Sequence, residues 1–212
     1  MGQEKDIKSM NRKYLIGYML LNCLIFLILS GIFSGGLDEI ESLYKKTTNI
    51  FGFLLIPLSI VFEGLLSPDF KYKLVLWRIE NPLPACRAFS EIGPNDPRID
   101  MSRLNLLLCG NIPESPEKEN ATWYGLYKKC SSKDRVFDAH KCFLLMRDLA
   151  SLSFTSIPVA VASYTLWGIP LRSMAIHLVF LVAMFLLTSV ACQNYGKRFV
   201  ANVLVESLHT VE

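Results

Sequence analysis

The chain has 212 residues, 51% of them hydrophobic, with a mean hydropathy of +0.33 and a net charge of only +3. The apolar excess is gathered into long runs rather than dispersed, which argues against an ordinary soluble domain. The small net charge gives no bulk argument for nucleic-acid binding.

Residues 1–13 form a basic N-terminal tail containing Lys5, Lys8, Arg12 and Lys13, followed by an apolar run from Tyr14 to Ser34. Signal peptides share that pattern. This run, however, is of full spanning length, and Ser30-Gly31-Ile32 makes a poor cleavage site, so a first transmembrane helix is expected. Gly35-Gly36 ends it. A second apolar run, Asn49 to Leu66, is interrupted by Pro57 and carries Glu63 near its far end. Proline is tolerated in a span where neighbouring groups satisfy the freed carbonyl. Glu63 reads either as a carboxylate snorkelling to the interface or as an intramembrane polar site.

Residues 67–148 form a polar block punctuated by prolines. Asp69 to Ile79 begins with an alternation that suits a short strand, and Trp77 beside Arg78 suits an interfacial anchor. Pro82, Pro84, Pro94 and Pro97 exclude a long regular element over 81–98. Cys86-Arg87-Ala88-Phe89 sits there, either as a recognition loop or as cover for the block's own core. Asp96-Pro97 predicts a helix N-terminus that Gly110 stops, with Ile99, Leu104, Leu107 and Leu108 on one stripe. Ser115-Pro116 repeats the device, opening a helix that presents Trp123, Leu126, Tyr127 and Cys130 and closes on Lys128-Lys129. A third helix is expected from Ser132, with Val136, Phe137, His140, Phe143 and Leu144 on one face. Nothing breaks it before Pro158, so it is expected to run on into the third span.

That span, Leu149 to Trp167, is followed after a short connector, Gly168 to Arg172, by a fourth from Ser173 to Cys192. The connector is short enough to require an antiparallel hairpin. Asn22 in the first span and His177 in the fourth are candidates for interhelical hydrogen bonds. Residues 193–212 read as a C-terminal tail.

The expected fold is therefore an all-α membrane protein, with transmembrane helices 1 and 2 in 14–66 and helices 3 and 4 in 149–192. A small, mainly helical cytoplasmic domain, 67–148, is inserted between the pairs. Of the 22 Lys and Arg residues, nineteen fall in the two tails and the central block, and three fall in the connectors. That asymmetry predicts cytoplasmic N- and C-termini, in a cell inner membrane or plasma membrane.

Arg135 and His140, with four residues between them, resemble the Arg-x4–6-His signature of HEPN ribonucleases. That resemblance implies a helical Arg and His acting on an RNA phosphate and 2′-hydroxyl. Arg172 and His177 repeat the spacing. Zinc is chemically open to Cys86, Cys109, Cys130, His140 and Cys142, but no pair has the short spacing of a zinc site, so buried thiols are the expectation, with no metal and no cofactor. The layout resembles the small multi-pass membrane subunits of bacterial anti-phage systems, such as the four-pass subunit of Kiwa, which implies a defence context.

The functional expectation is a non-enzymatic, homo-oligomeric membrane sensor or platform that relays a membrane state to a cytoplasmic protein partner. Arg87, Phe89, Arg98, Arg103, Lys128, Lys129, Lys133 and Arg135 are the candidate contacts, and their alternative is a solvated surface near anionic headgroups. An oligomeric pore that depolarises the membrane is a second expectation. A membrane-tethered HEPN-like ribonuclease is a third.

Overall fold

The computed structural model describes residues 2–32, 61, 64–166 and 168–209. Among them every regular element is helical. The second expected span and Glu63 fall almost entirely outside the described residues.

Helix α1 spans Gly2–Ile32, α2 Pro68–Leu76, α3 Met101–Leu107, α4 Pro116–Cys130, α5 Asp134–Leu166 and α6 Leu171–His209. Between α2 and α3 lie short turns of 3-10, π and α type, over Pro84–Arg87, Ala88–Ile92 and Gly93–Asn95. Three of the described helices are long and apolar enough to cross a membrane: α1 over Ile7–Ser30, α5 and α6. The chain divides into two compact units, Met1–Lys71 with Asp148–Thr188, and Tyr72–Arg147 with Ser189–Glu212.

The first unit is inside-out relative to a soluble core. Ser30, Ser151, Ser153, Thr155, Ser163, Ser173 and Thr188 are buried, whereas Leu20, Leu24, Leu27, Val179, Leu186 and Leu187 are exposed. Most of the buried hydroxyls are satisfied by carbonyls of their own helix, as with Ser163 to Val159 at 2.8 Å and Ser30 to Phe26 at 2.6 Å. Hydrocarbon solvent accounts for this pattern, because small polar residues permit close helix packing while leucine meets lipid tails. Tyr18 hydrogen-bonds Ser153 at 2.7 Å, and Phe26 packs edge-on against Tyr164 at 4.9 Å. As α1 advances its α5 partners advance too, so the two helices run in the same direction. Leu152 and Met184 join one apolar cluster and Tyr164 meets His177, so α5 and α6 run antiparallel. The reversal between them is tight, with Gly168 at φ +62° and the Ile169 amide donating to the Tyr164 carbonyl at 3.0 Å. It is the hairpin that the short connector implied.

The second unit gathers α2, the short turns, α3, α4, the first half of α5 and the last part of α6. Its core is apolar in the usual sense: Val75, Ala88, Phe89, Leu104, Trp123, Leu126, Val136, Val200, Val203 and Leu204 are all buried. The strand expected at 69–79 is instead α2. Ser67 caps it by accepting from the Phe70 amide at 3.2 Å, and Pro68 opens it. Those local start signals outweigh the brief alternation of apolar and polar residues. The cap expected at Asp96 lies at Asp100, whose carboxylate accepts from the amides of Ser102 and Arg103 at 2.8 and 3.2 Å. Asp96-Pro97-Arg98-Ile99 forms a separate turn, closed by Ile99 N–H to the Asp96 carbonyl at 3.0 Å. Ser115 caps α4 as expected, and the chain leaves α3 through Cys109 at φ +54° and Gly110 at φ +80°. The third helix starts at Asp134, not Ser132, and continues without interruption through Pro158 to Leu166.

The largest difference from the sequence reading concerns residues 193–209. They continue α6 and bury Phe199, Val200, Val203, Leu204 and Leu208 against the second unit. Gly196 makes the close approach possible: a Cβ there would lie 2.7 Å from Pro84 Cγ and 3.0 Å from Phe143 Cε2.

Candidate functional site

The candidate contact residues divide into two groups. The members of one are held within the fold. Phe89 is buried, with 3% exposure, and its amide donates to Glu119 Oε2 at 2.7 Å, beside that of Ser90 at 3.1 Å. Glu119 is itself buried, so its carboxylate acts as an internal cap for the π turn. Arg87 is half-buried, its Nε 3.2 Å from Glu91 and its Nη1 3.4 Å from the Asn81 carbonyl. Burial lowers its pKa, and neighbouring Arg78 adds to the effect. Arg98 grips Asp96 with two donors, at 2.9 and 2.7 Å, and reaches Asn202 at 3.3 Å. Those hydrogen bonds pull the Asp96 carboxyl below its ordinary range. The stretch 84–93 is therefore a wrapped part of the core, whereas Arg98 stays at the surface, held by its ion pair with Asp96.

The second group stays at the surface. Arg103 is exposed on α3. Lys128 and Lys129 close α4, Lys133 sits in the turn after it, and Arg135 lies in the first turn of α5; all four are exposed. Lys128 Nζ lies 4.7 Å from the Tyr124 ring centroid, and the tyrosine is half exposed. Cations at the end of α4 favour that helix through its dipole. Cations at the start of α5 oppose theirs, by about 0.3–1 kcal/mol each. Asp134 offsets part of that.

His140, one half of the Arg/His pair, sits inside an aromatic cluster. Its ring stacks flat on Phe199 at 4.6 Å, and Tyr127 hydrogen-bonds its Nδ1 at 3.1 Å. Trp123 completes the cluster, stacking on Tyr127 at 5.6 Å and donating Nε1–H to the Val200 carbonyl at 3.3 Å. Arg135, by contrast, is exposed, so the two share a helix but not an environment. Among the described residues no three His, Cys, Asp or Glu side chains converge as metal ligands. Cys130 is buried, its thiol directed at the Leu126 carbonyl, and burial raises its pKa, as it does that of Cys86.

The first unit brings Asn22 and His177 to one small cavity of about 40 Å³. Asn22 Nδ2 donates to the Tyr18 carbonyl at 2.8 Å, and His177 Nδ1 lies 3.3 Å from the Tyr164 hydroxyl. Sequence reasoning named both residues but not their meeting, since helix order does not fix which faces turn inward. It missed Glu119 as an inward carboxylate and the whole C-terminal half of α6. The spacing of Val200, Val203, Leu204 and Leu208 was the available signal for the latter.

No family model, curated protein or solved structure matches the chain.

Proposed function

We propose that this protein is a non-enzymatic, homo-oligomeric membrane platform that relays a change in the packing of its spans to an acidic cytoplasmic protein. The partner docks on the α4–α5 corner. The observation that carries this reading is the placement of Lys128, Lys129, Lys133 and Arg135, all exposed within one turn-and-helix corner. Two of them stand where the helix dipole disfavours a cation. Local stability does not select that arrangement, whereas recognition of an acidic surface does. The corner opens α5, whose far end lies among the buried hydroxyls of the first unit, so one element serves both regions.

The topology we propose is four-pass. Because α1 and α5 run in the same direction, the chain must recross the bilayer between them, and the apolar run 49–66 is the segment suited to it. The N-terminus, the block 72–147 and the C-terminal end of α6 then share one side. The excess of Lys and Arg assigns that side to the cytoplasm.

Lys133→Glu with Arg135→Glu, made in the full chain, tests the docking surface. The pair of changes suits the helix dipole, so thermal stability is expected to hold or rise slightly. Recovery of the partner with the tagged protein is expected to fall about tenfold, equivalent to ~1.4 kcal/mol. Unchanged recovery would overturn the proposal. Ion flux into vesicles reconstituted with the protein separates this platform from a pore, for which the same variant has no reason to abolish conduction.

A further inference from the structure

The chain around α2 leaves large apolar side chains uncovered at both ends of the helix. Leu65 and Phe70 are 71% and 45% exposed, and Trp77 and Ile79 are 51% and 82% exposed. Ile79 is the most exposed large hydrophobic among the described residues. Val75 and Leu76, just before them, are buried, so the chain passes from core to surface over one residue. Trp77 makes that turn in the left-handed region, at φ +55°. Helices commonly end on such a residue, but it is usually glycine, because a Cβ is strained there. Asn81, at φ +45°, turns the chain back and ties it down, its Nδ2 donating to Glu117 Oε1 at 2.8 Å. The loop Trp77-Arg78-Ile79-Glu80 is thus held by ordered structure at both ends. Glycine at position 77 would end α2 with less strain and no apolar exposure. The fold gives no reason for tryptophan there, whereas a contact outside the chain does.

We infer that α2 lies along the bilayer surface, with Trp77 and Ile79 inserted at the boundary between headgroups and acyl chains and Arg78 on a lipid phosphate. Tryptophan suits that boundary because its ring is apolar while its indole N–H still finds an acceptor there. Arginine beside it supplies a cation on an apolar stem, which reaches a phosphate while the stem stays among apolar groups. Isoleucine adds area that gains by leaving water. Arg78 also lies near enough to Arg87 to lower that residue's pKa, and an anionic headgroup relieves this like-charge juxtaposition.

Chain continuity makes the occupant a bilayer rather than a second protein. Only Ser67 separates α2 from the apolar run 49–66, and the first residues of α2 belong to the unit that contains α1. The helix has nine residues and so rises only ~14 Å. An upright α2 would carry Trp77 through a headgroup layer roughly 5–8 Å deep and out into water. A helix lying flat keeps Phe70 and Trp77 at one depth, which accounts for uncovered apolar side chains at both of its ends. The passage of 49–66 through the bilayer is the one part of the proposed function on which this placement rests.

Trp77 is its own probe. The full chain and its Trp77→Gly variant are placed in nanodiscs of phosphatidylcholine brominated either near the headgroup end of the acyl chains or near their terminal methyls. Glycine suits a φ of +55°, so the variant is expected to keep its helical circular dichroism. The difference in emission between the two proteins isolates Trp77 from Trp123 and Trp167. Bromine near the headgroups is expected to remove most of that difference, and bromine near the methyls much less. A difference equally bright in brominated and unbrominated lipid overturns the inference, since the ring is then covered by protein or water. Quenching as strong or stronger from the deep bromines overturns the interfacial placement. The readout involves neither partner capture nor a terminal fusion, so its failure is distinguishable from failure of the docking surface or of the four-pass topology.

Discussion

Glu119 is the side chain on which the wrapped segment 84–93 depends. It is a carboxylate with 4% exposure that takes two backbone amides, Phe89 and Ser90, at 2.7 and 3.1 Å. Hydrogen bonds to a charged group contribute about 1.5–3 kcal/mol, and removing the acceptor leaves two buried donors unpaired. Glu119→Ala is therefore expected to destabilise the polar unit by roughly 2–4 kcal/mol. Hydrogen exchange should show early loss of protection at the amides of Phe89 and Ser90, ahead of those in α4. Glu117, two positions earlier, is exposed and bonds Asn81 at 2.8 Å, so Glu117→Ala is the matched control and should change little. Sequence alone did not distinguish the pair: both are acidic residues in a first turn, and only the direction of the helix face assigns one to the core.

At the scale of elements, helix existence was legible where caps and apolar periodicity agreed. Ser115-Pro116 and the Trp123, Leu126, Cys130 stripe gave α4 its start and its buried face, and both stand. Prediction failed where two local signals competed. Two Asp residues four apart each suit an N-cap, and the chain uses Asp100, leaving Asp96 to pair with Arg98. Over 69–79 a short alternation competed with Ser67-Pro68, and the cap prevailed. The end of α6 was missed for another reason. Read beside a strongly apolar span, its mixed sequence resembles a tail, although its apolar residues recur at helical spacing. Gly196 ties this end to the unit, because only a residue without Cβ admits Pro84 and Phe143 so closely. Gly196→Val is expected to force them apart, at about 1–3 kcal/mol or more, read as a lower midpoint in thermal unfolding. Gly125→Ala on α4, where a Cβ meets nothing within 4 Å, should be neutral or slightly stabilising by comparison.

For the whole molecule, the membrane character rests on an inverted distribution of side chains, hydroxyls inside and leucines outside, as well as on hydropathy. Composition could announce the second of these but not the first. The four-pass proposal predicts that fluorescent protein fused after Glu212 folds and emits, while alkaline phosphatase at the same place is inactive. The opposite pair of results would reverse the orientation, and with it the cytoplasmic docking surface.

The burial of residues 193–209 in the polar unit has a consequence for biogenesis. The segment that completes this core follows α5 and the apolar part of α6 in the chain, so it leaves the ribosome after both. At about 5–20 residues per second, the stretch from residue 147 to residue 209 takes ~3–12 s to synthesise. Through that interval Phe143 and Trp123 lack the Phe199 ring that packs on them. The polar unit can therefore close only after the whole hairpin of α5 and α6 has been synthesised.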